Sequence, residues 1–220
     1  MSHGHAHTCN RVLGPATTQR HDTVCAELCA LSQLCCHVQA QVEPRLNGVD
    51  PDNGESFVLE PDVVMEGMGD FKVAVDVTFV YGESNSYLPE FDALADSGCD
   101  GDAMSESSIR ALMEAMVSRS VAKSKKYQSE CVSRELEFEP FVIESHGYCG
   151  ESVTRVLERM ARYAVSNFGG CFSAVLGYMR RRIAIAIQRG TARLDVDALG
   201  RSAHSFGALE ARGFAVRRSN

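Results

Sequence analysis

Tryptophan is absent from the 220 residues, which by itself excludes little. Other gaps exclude more. No apolar run approaches the roughly 20 residues of a membrane-spanning helix, so no membrane partner is expected. No Cys-x-x-Cys pair occurs among the nine cysteines. An odd number of thiols without pairing motifs argues for reduced side chains rather than a disulfide framework. The first 30 residues lack the layout of a secretory signal, so the expected address is nuclear or cytoplasmic and not secreted. Positive charge is also scarce: 22 Lys and Arg against 29 Asp and Glu leave a net charge of -7. That disfavours a surface that is basic throughout, although screening over about 10 Å leaves room for a local basic stripe.

What remains is the composition of a globular protein long enough to bury one substantial core. The opening "MSHGHAHTCN" sets His3, His5, His7 and Cys9 close together. It reads either as a flexible leader over 1–18 or as the end of a zinc knuckle. No paired cysteines precede it to close a four-ligand site, so zinc is not expected. A helix is predicted over about 20–38, where Val24, Leu28, Leu31, Leu34 and Cys35 recur at steps of three and four. Cys25, Cys29, Cys35 and Cys36 read there as small buried hydrophobes, and His21 and His37 as helix-surface or core residues. A short strand follows at "AQVEP", and 45–55 reads as turn chemistry throughout.

The stretch "LEPDVVMEGMGDFKVAVDVTFVYG" reads as two strands around a glycine-rich turn. Period-two alternation in "KVAVDVTFV" points Val73, Val75, Val77 and Phe79 to one face, and Lys72, Ala74, Asp76 and Thr78 to the other. Asp76 therefore sits mid-strand on a mixed face, where a charge is costly unless solvated, paired or bound to a metal. Asp62 starts the preceding strand, so a hairpin would set the two acids side by side. Two readings fit: solvated acids at a sheet edge, or paired carboxylates whose repulsion is relieved by Mg²⁺.

Residues 83–104 are acidic and loop-like. Ser105 then reads as the N-cap of a helix to about 133, with Ile109, Met113, Met116, Tyr127 and Cys131 near one face. In its "AKSKKYQSE" segment Lys123 lies one turn before Tyr127 and borders the packed face, Lys126 flanks it, and Lys125 points away. A lysine so placed suits offsetting charge on a phosphate; a solvated basic patch is the plainer alternative. A buried strand is expected in "EFEPFVIESHGYCG", with Glu144 facing either the acids or solvent. His146 and Cys149 make a weak nucleophile pair without an orienting third residue. Helices over about 151–167 and 171–189 complete the pattern, and 191–220 reads as a weakly structured tail. The order of elements predicts a mixed α/β domain over 19–190. Arg180, Arg181 and Arg182 on the last helix are candidates for DNA phosphate contacts.

Taken together, "EPDVV", the second acid in "VDVTFVYGE" and the later "KSKKY" resemble the restriction-enzyme-like endonuclease of site-specific non-LTR retrotransposons. That domain lies at the C-terminal end of their reverse transcriptase polyproteins and is a PD-(D/E)xK variant whose lysine has moved from the strand to a following helix. Thr78 occupies the place of the conventional strand lysine. "RHDTV", "HAHTC", "FEPFVIESHGYCG" and "YMRRRIAIAIQRG" resemble the flanks of that domain, so the likeness runs over roughly residues 3–190. It implies a restriction-endonuclease-like mixed central sheet flanked by helices, and DNA strand nicking with Mg²⁺, or Mn²⁺ in its place. Asp62 and Asp76 would hold the ion, and Lys123 would assist hydrolysis, with Lys126 as the alternative lysine. Glu60 stands before the proline where a basic residue is more usual, and no reverse transcriptase accompanies the domain. A truncated remnant is therefore expected, either still a nuclease or an inactive nucleic-acid-binding module with a degenerate nuclease fold.

Overall fold

The computed structural model describes residues 10–49, 54, 56–67, 71–80, 106–145 and 147–216. The leader residues up to Cys9, the Ser105 cap, the acidic loop and His146 lie outside them. In chain order the elements are α1 (Asn10–Cys36), β1 (Gln39–Val42), β2 (Leu46–Val49), β3 (Ser56–Leu59), β4 (Val63–Glu66), β5 (Lys72–Val80), α2 (Glu106–Val132), β6 (Glu137–Glu144), α3 (Glu151–Phe168) and α4 (Phe172–Val216). The class is mixed α/β.

Four strands make the main sheet in the order β1-β4-β5-β6. The first three pair antiparallel, and β5 and β6 run parallel with α2 as their connection. Alternation along the strands gives the sheet two apolar faces. Val63, Met65, Val73, Val75, Val77, Phe141 and Ile143 pack with α1, α3 and α4 in the larger core. On the other face, Val64 and Ala74 meet Tyr127 and Cys131 of α2, and farther along Val80 and Val142 meet Leu112 and Met116. Three layers result, with the sheet between α2 and the other helices. Burial of each such side chain contributes about 1.5–3 kcal/mol.

Four sequence expectations are corrected. The first helix begins at Asn10, inside the expected leader, and its buried residues include Val24, Cys25, Leu28, Cys29 and Leu31, while Leu34 is exposed. The segment taken as turns holds β2, which pairs with β3 in a separate two-stranded sheet. Ile109 and Met113 of α2 are exposed, because the packed face runs instead through Leu112, Met116, Tyr127 and Cys131. The final helix continues past 189 to Val216. No proline interrupts that stretch, and Leu194 is buried, anchoring the extension.

The helices are set by local contacts. α3 buries Val153, Val156, Leu157, Met160, Ala161 and Ala164 along one face. α4 passes over α1 at Gly190, where an added Cβ would come within 2.5 Å of the Arg20 Cγ. Among the described residues no helix is long and apolar enough to cross a membrane. The seven described cysteines are all free thiols.

Candidate active site

The hairpin register places the two acids on neighbouring stretches of backbone, with Asp62 reaching His21 of α1 and Asp76 reaching Lys123 of α2. Val63 pairs with Val75 and Val64 with Ala74, and continuing that register one residue before β4 places the backbone of Asp62 across from Asp76. Asp62 lies just outside the strand and is held by backbone bonds on both sides. Its carbonyl accepts the Glu43 N–H at 2.8 Å, and its Oδ2 accepts the Val77 N–H at 2.5 Å. Asp76 sits within β5 with only 4% of its side chain exposed. A carboxylate so deeply placed needs partners. The Thr78 hydroxyl donates to its Oδ2 at 3.2 Å.

The second partner comes from α2. Lys123 Nζ lies 2.6 Å from the same Asp76 oxygen, with 28% of the lysine side chain exposed. Tyr127, one turn on, is buried against Val64, Ala74 and Phe138. It anchors the helix and so aims Lys123 down at the strand. Lys126 is exposed and turned elsewhere: its ammonium donates to the Tyr127 hydroxyl at 2.7 Å and lies 4.4 Å from that ring's centre. The phenol oxygen raises the Lys126 pKa above its ordinary value. Of the two candidate lysines, Lys123 is the one brought to an aspartate.

The third contribution, from α1, was missed by the sequence analysis. His21 Nε2 lies 3.0 Å from Asp62 Oδ2, and its Nδ1 lies 3.3 Å from Asp22 Oδ1. The hydrogen bond to Asp62, and then that to Cys25, raise the imidazole pKa to about 11, so the ring is cationic at neutral pH. Both hairpin acids therefore face a cation, His21 for Asp62 and Lys123 for Asp76. Helical spacing was the available signal, since His21 and Cys25 are one turn apart within "RHDTVC", but nothing in that spacing identifies a partner near β4. The neighbouring Arg20 is buried, with its guanidinium carbon 4.0 Å from the centre of the Phe79 ring.

Other candidates fall elsewhere. Glu144 pairs in register with Val80, four residues beyond Asp76, or about 13 Å along the strand at ~3.3 Å per residue. It is buried and accepts the Ser145 hydroxyl at 2.6 Å. Arg180 reaches Glu158 of α3 at 3.8 Å, and Arg182 reaches Glu27 of α1 at 2.7 Å and the Tyr178 hydroxyl at 2.7 Å. These two arginines tie helices together, while Arg181 is exposed. Cys149 is half-buried, and burial raises its thiol pKa, the reverse of an activated nucleophile.

No protein-family model matches the chain, and no curated protein matches it. Two carboxylates at facing positions are hard oxygen donors, of the kind that hold Mg²⁺ alongside phosphate oxygens. They fit such an ion in donor type, and the adjacent lysine fits an anionic substrate.

Proposed function

We propose that this chain is a metal-dependent DNA-nicking endonuclease domain with a restriction-endonuclease-like fold, of the kind tied to non-LTR retrotransposons. The observation that carries the reading is the approach of Lys123 to the buried Asp76, opposite Asp62 across the hairpin. It unites a strand acid, a facing acid and a helix lysine drawn from three separate stretches of sequence.

Asp62 and Asp76 would hold Mg²⁺, or Mn²⁺ in its place. When bound, such an ion polarises a phosphodiester and lowers the pKa of water. The protein's own groups do the rest. Val77 N–H and the Thr78 hydroxyl hold the two carboxylates in place. His21 fixes the orientation of Asp62. Lys123, on a flexible stem, can turn from Asp76 toward a phosphate oxygen, where it offsets charge as the attacking oxygen adds. Exposed Arg181 is available for backbone phosphates. Free thiols and a DNA substrate fit a nuclear or cytoplasmic setting.

A second reading has one observation in its favour. Each acid already has an internal cation, so the site is electrostatically complete without a metal. A nuclease-derived module that binds DNA without cutting it is consistent with that balance. Nicking of supercoiled plasmid separates the two. With Mg²⁺ or Mn²⁺ the protein should convert plasmid to the open circle, and EDTA or Asp76→Asn should stop it. Nicking at the full rate by the folded Asp76→Asn variant would rule out the assigned site. DNA retention in EDTA, with no nicking under any metal and on a varied set of sequences, would favour the binding module.

A further inference from the structure

We propose that His21, Cys25 and Asp62 form a site for a borderline-soft transition ion, with zinc as the natural occupant. Their donor atoms, an imidazole nitrogen, a thiol sulfur and a carboxylate oxygen, all lie within 4.8 Å of one another. Nε2 of His21 is 3.0 Å from Asp62 Oδ2 and 3.9 Å from the Cys25 sulfur. Tetrahedral zinc with ordinary bond lengths sets its nitrogen, oxygen and sulfur ligands roughly 3.3–3.6 Å apart. The two separations from His21 depart from those values by a few tenths of an ångström, and the carboxylate and sulfur lie within 4.8 Å of each other.

Three features set this group apart from the magnesium pair. One donor is a thiol, which selects zinc over magnesium or calcium. His21 and Cys25 share one face of α1 a single turn apart, so a regular helix presents both without distortion. The remaining ring nitrogen of His21 lies 3.3 Å from Asp22 Oδ1, the carboxylate–histidine arrangement that orients an imidazole ligand toward a metal. Cys25 is buried in the larger core together with Cys29 and Cys36, but its sulfur lies 3.7 and 3.9 Å from the two ring nitrogens of His21. His21 and Asp62 are only half-buried, so two of the three donors are within reach of solvent.

Asp62 belongs to both groups. This consequence rests on the nuclease reading: zinc held by His21 and Cys25 takes Asp62 away from Asp76 and blocks the magnesium site. Zinc binding itself does not depend on that reading, and its test needs no cleavage.

Metal-free, reduced full-length protein would be titrated with Co²⁺ as a spectroscopic substitute for zinc. One equivalent should give a near-ultraviolet thiolate-to-cobalt band, and Zn²⁺ should abolish it. Cys25→Ser should lose the band. Asp22→Asn, a change at an exposed residue, should weaken cobalt binding by roughly 10–100-fold while keeping the band's shape. Cys9→Ser should leave the titration unchanged, which separates this site from the histidine-rich leader. Absence of the band in the wild type, its survival in Cys25→Ser, its loss in Cys9→Ser, or unaltered affinity in Asp22→Asn would each overturn the proposal. Circular dichroism confirms that every variant compared is folded.

Discussion

Replacing Lys123 with methionine removes the cation that faces Asp76 and keeps most of the side chain's bulk. Removing one partner of a fully buried ion pair costs about 3–5 kcal/mol, because the other charge is left stranded. An exposed pair is worth only about 0–1 kcal/mol. This pair lies between the limits, since Asp76 is almost wholly covered and Lys123 is 28% exposed. The Thr78 hydroxyl stays on the carboxylate at 3.2 Å and softens the loss. The expected destabilisation is therefore about 2 kcal/mol.

Urea unfolding of wild type, Lys123→Met, Asp76→Asn and the double variant isolates the pair. The double variant should be more stable than the sum of the single losses predicts, by about 1–2 kcal/mol. Added Mg²⁺ should stabilise Lys123→Met more than wild type, since a second cation can neutralise the exposed debt of charge on the same carboxylate. Lys126→Met should leave stability nearly unchanged, because Lys126 is exposed and bonded to Tyr127 rather than to an acid. A coupling below about 0.5 kcal/mol would refute the ion pair and with it the placement of Lys123 at the site.

The imidazole of His21 should remain protonated well above pH 8 in NMR titrations, whereas an ordinary histidine titrates near 6.5. Because its folded-state pKa is raised, the stabilisation is fully present below about pH 6.5 and is lost as pH rises toward about 11; a stability gap between wild type and His21→Gln that widens over that range would contradict the pairing. Among the seven described cysteines, timed alkylation with peptide mapping should modify Cys171 first, because it is exposed and its thiol pKa is lowered by the Ser173 hydrogen bond. Cys36, buried and pushed up to about 12, should react only on unfolding. Gly190→Leu should cost at least about 1–3 kcal/mol through its clash with Arg20, read as a lower urea midpoint. Arg182→Ala should lower the urea midpoint by freeing Glu27 and Tyr178, whereas Arg181→Ala should leave it unchanged.

The hairpin was the most legible part of the chain. A strand alternates its side chains every two residues, so the faces of Asp76, Thr78 and the valines follow from local sequence alone. The helical periodicity around Tyr127 likewise set Lys123 beside the packed face. Helix ends were less legible. The extension of α4 to Val216 and the early start of α1 at Asn10 arise in segments with weak apolar periodicity. The pairing of β2 with β3 was hidden because Gly48, Asn47 and nearby aspartates read locally as turn residues.

By itself the sequence determined the alternation of β5, the one-turn spacing of Lys123 with Tyr127 and of His21 with Cys25, and the mixed α/β class. Each of these depends on repeats of two or about four residues within a single element. Only the tertiary structure decided which charges meet. The β4–β5 register sets Asp62 opposite Asp76, packing of α2 brings Lys123 to one acid, and packing of α1 brings His21 to the other. The two ion pairs join residues more than 40 positions apart in the chain, and local periodicity carries no information about partners that only the packing of layers brings together.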